Sequence, residues 1–362
     1  MSMATAALAP RDTAAGPSAA ETDAYLRLGL RNRWHPVLPS RFVADKPVGI
    51  RRMGERIVLW RDAAGAIRAM ADRCPHRGAP LSLGHVRGDR IACWYHAVEI
   101  GADGTVLCVP GEPGCSLEGK RLVKTFPALE VKGAIFLWMG DALHPDPAPY
   151  TPPPQLQEGA FDAFLTYQEW KAPWRFLYDN NMDPMHGQFL HAQSHSMARG
   201  ERKAEFAIRP TDTGFIFEKT TQKDVNFDWS EWCDAGAIYC RLEIPYPASG
   251  GPGGNFGIIF HAVPIDECSS ACFFWRFRKV SGWQRDAWRF LYKIRLEARH
   301  FAVLEQDRAI AEGMDADADR AEHLYSHDGG VVRMRNIMRA EARAQLKALR
   351  ATGIDPLATS DI

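Results

Sequence analysis

Two cysteine-histidine pairs, Cys74-Pro75-His76 and Cys93-Trp94-Tyr95-His96, stand with sixteen residues between them in the segment CPHRGAPLSLGHVRGDRIACWYH. To bring those four side chains together, a chain needs two loops held side by side on a rigid frame. The set suits a 2Fe-2S cluster in which two thiolates hold one iron and two neutral imidazoles the other. That ligation raises the potential by roughly several hundred millivolts over an all-cysteine cluster. The rival is a structural zinc site, since Cys and His at close spacing also suit a tetrahedral ion. Three details favour the cluster: one intervening residue in the first pair and two in the second, the Cys-His then Cys-His order, and the loops HRGAP and WYHA. The chain is expected to move single electrons.

At 362 residues the chain has room for about two domains with real cores. Lys+Arg and Asp+Glu both number 44, so no overall charge draws it to nucleic acid or anionic lipid. The start, MSMATAALAPRDTAAGPSAAETD, lacks the charged head and apolar core of a secretion signal and reads as a disordered tail over residues 1–24. No run approaches the ~18 apolar residues of a membrane helix. These features point to a soluble, cytoplasmic protein with neither a membrane nor a nucleic-acid partner. Of the eight cysteines, Cys108, Cys115, Cys233, Cys240, Cys268 and Cys272 are scattered and read as free thiols of a reducing compartment. The segment around Cys268 and Cys272, IDECSSACFFWRF, reads as a turn entering a strand and not as a metal loop.

The six prolines of HPDPAPYTPPPQ cannot continue a sheet or helix and mark a boundary near residue 150. Before it, runs such as GERIVLWRDAAGAIRAMADRC and LVKTFPALEVKGAIFLWMGD carry the two-residue period of half-buried strands, giving a small antiparallel β domain over residues 25–150. After it, over residues 151–362, strand-like runs between 203 and 280 are flanked by segments with helical spacing, one around Trp174 and one from DAWRFLYKIRLEARH onward. The expected class is α+β, with a sheet in the second half carrying long helices.

A second metal set lies in the first helical segment, where Asp183-Pro184-Met185-His186 is followed by His191. Two imidazoles and one carboxylate from elsewhere make the facial triad of ferrous oxygenases, which leaves positions open for dioxygen and substrate. His195 competes with His186 as the partner of His191, since it stands one helical turn away.

Cluster ligands followed by DNNMDPMHGQFLH resemble the catalytic subunits of the Rieske non-heme iron oxygenases, over nearly the whole chain after the tail. The length is similar to that of single-subunit-type members, the vanillate and dicamba O-demethylases and the phthalate and carbazole oxygenases. The resemblance implies an N-terminal Rieske β-sandwich, a C-terminal helix-grip domain and a homotrimer. It implies that Cys74, His76, Cys93 and His96 hold the cluster, and that His186 and His191 with Asp307 hold mononuclear Fe(II), Glu305 being the fallback. Asn180, ahead of Asn181, falls where an amide approaches the iron. Asp183 matches a bridging carboxylate that would orient His186 from the same helical face and meet His96 of the partner subunit. His261 falls where a strand histidine can line the substrate cavity, or it is a core histidine. One departure is Ala97, where the family has Gly after the second histidine.

The implied activity is that of an oxygenase component. It takes electrons from a separate NAD(P)H-dependent reductase or ferredoxin, and uses O2 to hydroxylate or demethylate a small organic substrate, an aromatic one being expected. Ring cis-dihydroxylation is the alternative within the class, and a non-catalytic Rieske electron carrier the alternative outside it. Other signals carry less. SGGPGGNFG lies between two strands without the frame of a phosphate loop and reads as a hairpin turn. DADADR fails as a calcium loop because Arg320 and Ser326 stand where Gly and Glu are needed. Arg335, Arg339, Arg343 and Lys347 recur every four residues as a basic helix face. That face, or Arg77, Arg87 and Arg90, is available to steer an acidic electron donor.

Overall fold

The turn at Asp62-Ala63-Ala64-Gly65 shows how the N-terminal strands are joined. Asp62 Oδ1 accepts from the Ala64 and Ala66 amides at 3.0 and 2.9 Å, and Gly65 supplies the φ of 80° that closes the hairpin. The computed structural model describes residues 16–193, 199–245 and 253–357. His195 and the first half of SGGPGGNFG lie outside them. Among the described residues, ten short strands make three antiparallel sheets in the first half. One comprises β1 (Trp34–Pro39), β9 (Ala128–Val131) and β10 (Ala134–Trp138), in the order β1-β10-β9. A second comprises β2 (Val48–Arg52), β3 (Glu55–Arg61) and β4 (Ile67–Ala71). The third comprises β5 (His85–Arg87), β6 (Arg90–Ala92), β7 (Glu99–Gly101) and β8 (Val106–Cys108). Val58, Trp60, Met70, Leu81, Ile91 and Ile100 form the buried core beneath the two Cys-His loops.

The second half is built on one seven-stranded antiparallel sheet, ordered β11-β17-β16-β15-β14-β13-β12. Its strands are β11 (Phe161–Trp170), β12 (Phe206–Thr211), β13 (Gly214–Lys219), β14 (Trp229–Asp234), β15 (Ile238–Pro245), β16 (Asn255–Pro264) and β17 (Ser270–Lys279). β15 and β16 are paired neighbours, so SGGPGGNFG does join two adjacent strands. β17 is buried at every position but its last, and β16 at eight of ten. Both faces are covered, which is why these strands read as near-continuous apolar runs. On one face, Ile259, Val263, Phe273 and Trp275 pack against Val37, Phe136 and Trp138 of the N-terminal sheet. Arg52 reaches across that seam to Tyr167 and Glu169, and Trp275 Nε1 donates to Lys132 O at 2.9 Å.

Helices cover the other face. They are α2 (Trp174–Met182), α3 (His186–Leu190), α4 (Trp283–Leu291), α5 (Glu297–Gly313) and α6 (Gly329–Ala351), with α1 (Ala19–Arg27) docked on α6. The helical spacing from 286 to 314 is realised with a break: a π turn at Tyr292–Leu296 separates α4 from α5. Residues 19–24, assigned to the tail on composition, are helical. Ser18 and Glu21 form a capping box, and Tyr25 and Leu26 are buried, the Tyr25 hydroxyl donating to Gln345 at 3.1 Å. No helix among the described residues is long and apolar enough to cross a membrane.

Candidate metal centres

The two Cys-His loops share one backbone design. In the first, between β4 and β5, the Cys74 amide donates to Ala79 O and the Gly78 amide to Cys74 O, both at 2.8 Å. In the second, between β6 and β7, the Cys93 amide donates to Val98 O and the Ala97 amide to Cys93 O, both at 2.9 Å. The fifth residue of each loop is left-handed, with φ 75° at Gly78 and 54° at Ala97. A glycine adopts that conformation freely, whereas an alanine pays about 1–2 kcal/mol. Asp72 closes the first loop by accepting from the Ser82 amide and hydroxyl, both at 2.7 Å.

These loops turn sulfur inward and nitrogen outward. Cys74 and Cys93 are each 2 % exposed, while His76 and His96 stand at the surface with ring centroids 4.8 Å apart. Burial pushes the Cys74 thiol up to about 11, and the Cys93 sulfur beside it adds to the rise. Two adjacent thiolates in an apolar core call for a cation between them. Thiols paired with thiols and imidazoles with imidazoles fit a 2Fe-2S cluster that takes two sulfurs on one iron and two nitrogens on the other.

Two prolines shape the second centre. Pro173 starts α2 and Pro184 ends it, because the residue before a proline is driven out of helical geometry; Asp183 has φ −100° and ψ 101°. Asp183 is therefore not on a helical face shared with His186. Its Oδ1 accepts from the Met185 amide at 2.7 Å, and its backbone carbonyl accepts from His186 Nδ1 at 2.6 Å, with the carboxylate 3.8 Å from that nitrogen. The outer nitrogen of His186 is held as expected, by the main chain instead of the side chain. His191 follows α3 and is 1 % exposed, its Nδ1 donating to Gln306 Oε1 at 2.9 Å.

Asp307 comes from the buried face of α5, in line with Leu304 and Ala311. Its Oδ1 lies 3.6 Å from His186 Nε2 and 3.1 Å from His191 Nε2, and one ligand atom from each of the three residues falls within 4.8 Å of the others. Asn180 Nδ2 donates to the same carboxylate at 3.2 Å. With each Nδ1 donating outward, each Nε2 carries a lone pair aimed at an anionic oxygen. His191 Nε2, although buried and 3.1 Å from that oxygen, makes no aligned hydrogen bond. Lone pairs facing a carboxylate repel unless a cation stands between them, so the donor set fits a divalent metal ion. Burial lowers the His191 pKa, and the Asp307 carboxylate beside it more than offsets this, for a net rise.

Glu305 points elsewhere, accepting from Gln168 Nε2 at 2.7 Å, and Asn181 donates to Leu177 O. His261 is a core residue. It alternates with Phe260 and Ala262, which pack on the helix-covered face, and so points to the opposite face, among Phe136, Tyr239 and Trp275. Burial takes its pKa down to about 3. Half of the basic face of α6 is spent on ion pairs: Arg335 with Asp179 and Glu322, Arg339 with Asp23. Arg87 and Arg90 both pair with Glu99. Gln306 was not visible in the sequence as a partner of His191, since only the approach of α5 to α3 brings them together.

Residues 33–127 match the Rieske 2Fe-2S domain family and residues 170–344 the vanillate O-demethylase oxygenase C-terminal domain family. The vanillate O-demethylase oxygenase subunit of Pseudomonas sp. strain HR199 is 36 % identical over 166 residues, 45 % of this chain and 46 % of that one. The 5,5'-dehydrodivanillate O-demethylase oxygenase subunit of Sphingobium sp. strain SYK-6 is 28 % identical over 285 residues, 73 % of this chain and 63 % of that one. The alignments thus span about half to two thirds of these curated relatives. Among solved structures, the oxygenase–ferredoxin complex of carbazole 1,9a-dioxygenase superposes with a TM-score of 0.73 at 22 % identity, covering 93 % of this chain and 95 % of that one. Dicamba monooxygenase bound to dicamba gives a TM-score of 0.69 at 20 % identity, covering 87 % of this chain and 98 % of that one. A Rieske domain joined to an oxygenase domain of this type, with two paired Cys-His loops on the one and a His-His-Asp face in the other, places the chain in the Rieske non-heme iron oxygenase family.

Proposed function

We propose that the chain is a terminal oxygenase component that receives electrons from a separate NAD(P)H-dependent reductase, directly or through a ferredoxin, and uses O2 to hydroxylate or demethylate a small organic substrate. The observation that carries this is the convergence of His186, His191 and Asp307 in the same chain as the Cys74/His76/Cys93/His96 loops. When bound, the cluster supplies single electrons and the ferrous ion activates dioxygen. The protein's part is to hold the donors. Gln306 and the Asp183 carbonyl fix the two imidazole tautomers, and Asn180 steadies Asp307. Phe227, edge-on to His186 with centroids 5.9 Å apart, supplies an apolar wall. The demethylase names of the curated relatives favour demethylation; the carbazole 1,9a-dioxygenase structures keep ring dihydroxylation as a second reading.

Anaerobically purified protein is expected to contain about three irons per chain, two in the cluster and one at the triad. Asp307→Ala should lower this to about two with the cluster absorption intact and abolish incorporation of labelled dioxygen into methoxyarenes, aryl carboxylates or N-methyl compounds. Two irons in the parent protein would instead make it an electron carrier.

A further inference from the structure

α4 and α5 are apolar on the side that faces solvent as well as on the side that faces the sheet. Trp288, Tyr292 and Leu296 are buried in the cluster that includes Phe227. On the opposite side Trp283, Phe290, Ile294 and Phe301 stand between 46 % and 72 % exposed. They recur at intervals of seven, four and seven residues across the π turn, with exposed Ala298 and Ala302 in the gaps, and so form one ridge. From Trp283 to Phe301 that ridge runs about 27 Å. A helix apolar all round is ordinarily buried all round, and a contiguous exposed patch of large apolar side chains marks a surface that something covers.

The flanks of the ridge bear on what covers it. Arg289 and Lys293 stand one position before Phe290 and Ile294, and Arg295 and Arg299 one position after Ile294 and Ala298, all four exposed. Cations therefore line both sides. Arg289 is tied to Asp162 and Lys293 to Glu297, whereas Arg295 and Arg299 form no ion pair among the described residues. With Arg285, the stretch from 283 to 301 carries five cations against the acids Asp286 and Glu297, in a chain whose total charge is zero. Laying the ridge on the same ridge of a second copy sets like charges opposite each other. A rigid acidic protein would need an apolar groove walled by acids on both sides. An anionic lipid surface meets both demands without a matching shape: the ridge sinks to the acyl boundary, while the arginine stems reach back to the phosphates.

We propose that the solvent face of α4 and α5 is a docking surface for an anionic lipid membrane, with Phe290, Ile294 and Phe301 as the inserted side chains and Arg295 and Arg299 as the headgroup contacts. The helices lie flat in the interface and do not span it, in keeping with the absence of a membrane-crossing helix among the described residues. A neutral total charge does not oppose such contact, since attraction at this range depends on where the cations sit. The inference stands apart from the oxygenase reading and survives if that reading fails.

Flotation of the iron-replete protein tests it, with vesicles of phosphatidylcholine alone and of phosphatidylcholine with about one third phosphatidylglycerol. The anionic vesicles are expected to hold the protein about thirtyfold more tightly than the neutral ones. Arg295→Gln combined with Arg299→Gln should weaken anionic binding about tenfold, and Phe290→Ser combined with Ile294→Ser should weaken it by as much or more. All four positions are exposed, so both double variants should keep the iron content of the parent and its thermal midpoint within about 2 °C. Should the serine variant not fold, the arginine variant decides. Failure of the parent to bind anionic vesicles, or binding unchanged in the variants, overturns the proposal. An assembly that dissociates in ultracentrifugation on Phe290→Ser with Ile294→Ser, without vesicle binding by the parent, makes the ridge an interface between copies and overturns it too. Binding of an acidic ferredoxin that the arginine variant abolishes, again without vesicle binding, overturns it in favour of a protein partner.

Discussion

Ala97 illustrates how one residue carries a local cost inside a site that otherwise obeys its design. Its φ of 54° equals in kind the 75° of Gly78 in the sister loop, and its amide makes the same return bond to the loop's cysteine. Ala97→Gly removes about 1–2 kcal/mol of backbone strain and adds about 0.4–1 kcal/mol of unfolded-state entropy. A net gain of about 0.5–1 kcal/mol is expected, visible as a thermal midpoint higher by about 2 °C with the cluster's redox midpoint unchanged. A lower midpoint would show that the loop relaxes around alanine without strain. The sequence flagged this position, but only the dihedral showed what the missing glycine means. His261 teaches the converse: the resemblance left it either lining a cavity or packed in the core, and the two-residue pleat of β16 turns it away from the face on which Phe260 and Ala262 pack.

At the scale of elements, α2 is held between Pro173 and Pro184 and pinned to α6 by a partly buried ion pair. Arg335 Nε and Nη2 meet the two oxygens of Asp179 at 3.0 and 2.8 Å, one residue from Asn180. Burial raises the Asp179 pKa by more than Arg335 lowers it, so the carboxylate depends on its partner. Arg335→Met leaves that acid uncompensated and should cost about 3 kcal/mol in denaturant unfolding, while Asp179→Asn combined with Arg335→Met recovers most of the loss. Equal losses in the single and double variants would mean that the pair is not the link. The periodicity of α6 was legible, as was the four-residue recurrence of Arg335 and Arg339. Their partners were not, because Asp179 and Asp23 lie far away in sequence, and half of the face that looked basic is neutralised.

Across the whole molecule, the central sheet separates the two centres of a single chain. The Cys-His loops belong to the side on which β1 and β10 pack, and His186, His191 and Asp307 to the side covered by α2 and α5. We propose that electrons cross between subunits of a homotrimer, from His96, exposed at its loop tip, to Asp183 of the partner subunit. Asp183→Asn keeps the Oδ1 contact to the Met185 amide and the main-chain contact to His186, so it should retain about three irons and a reducible cluster while losing substrate oxidation by roughly tenfold or more. Full product formation by that variant, or a monomer in ultracentrifugation that is fully active, would remove the cross-subunit route.

The sequence by itself determined what depends on local spacing: two Cys-His loops, and the change from short strands to a sheet with long helices after the proline run near residue 150; spacing alone left His195 beside His186 as a partner for His191, and only the family resemblance favoured His186. Cluster ligation and helix periodicity are written within a few residues, so they survive without three dimensions. Only the tertiary structure decided which acid meets those histidines, that Gln306 and a backbone carbonyl hold their outer nitrogens, and that His261 faces away. Each of these is a contact between segments tens to over a hundred residues apart, fixed by which face of a strand or helix the core takes in, and one residue of register reverses that choice.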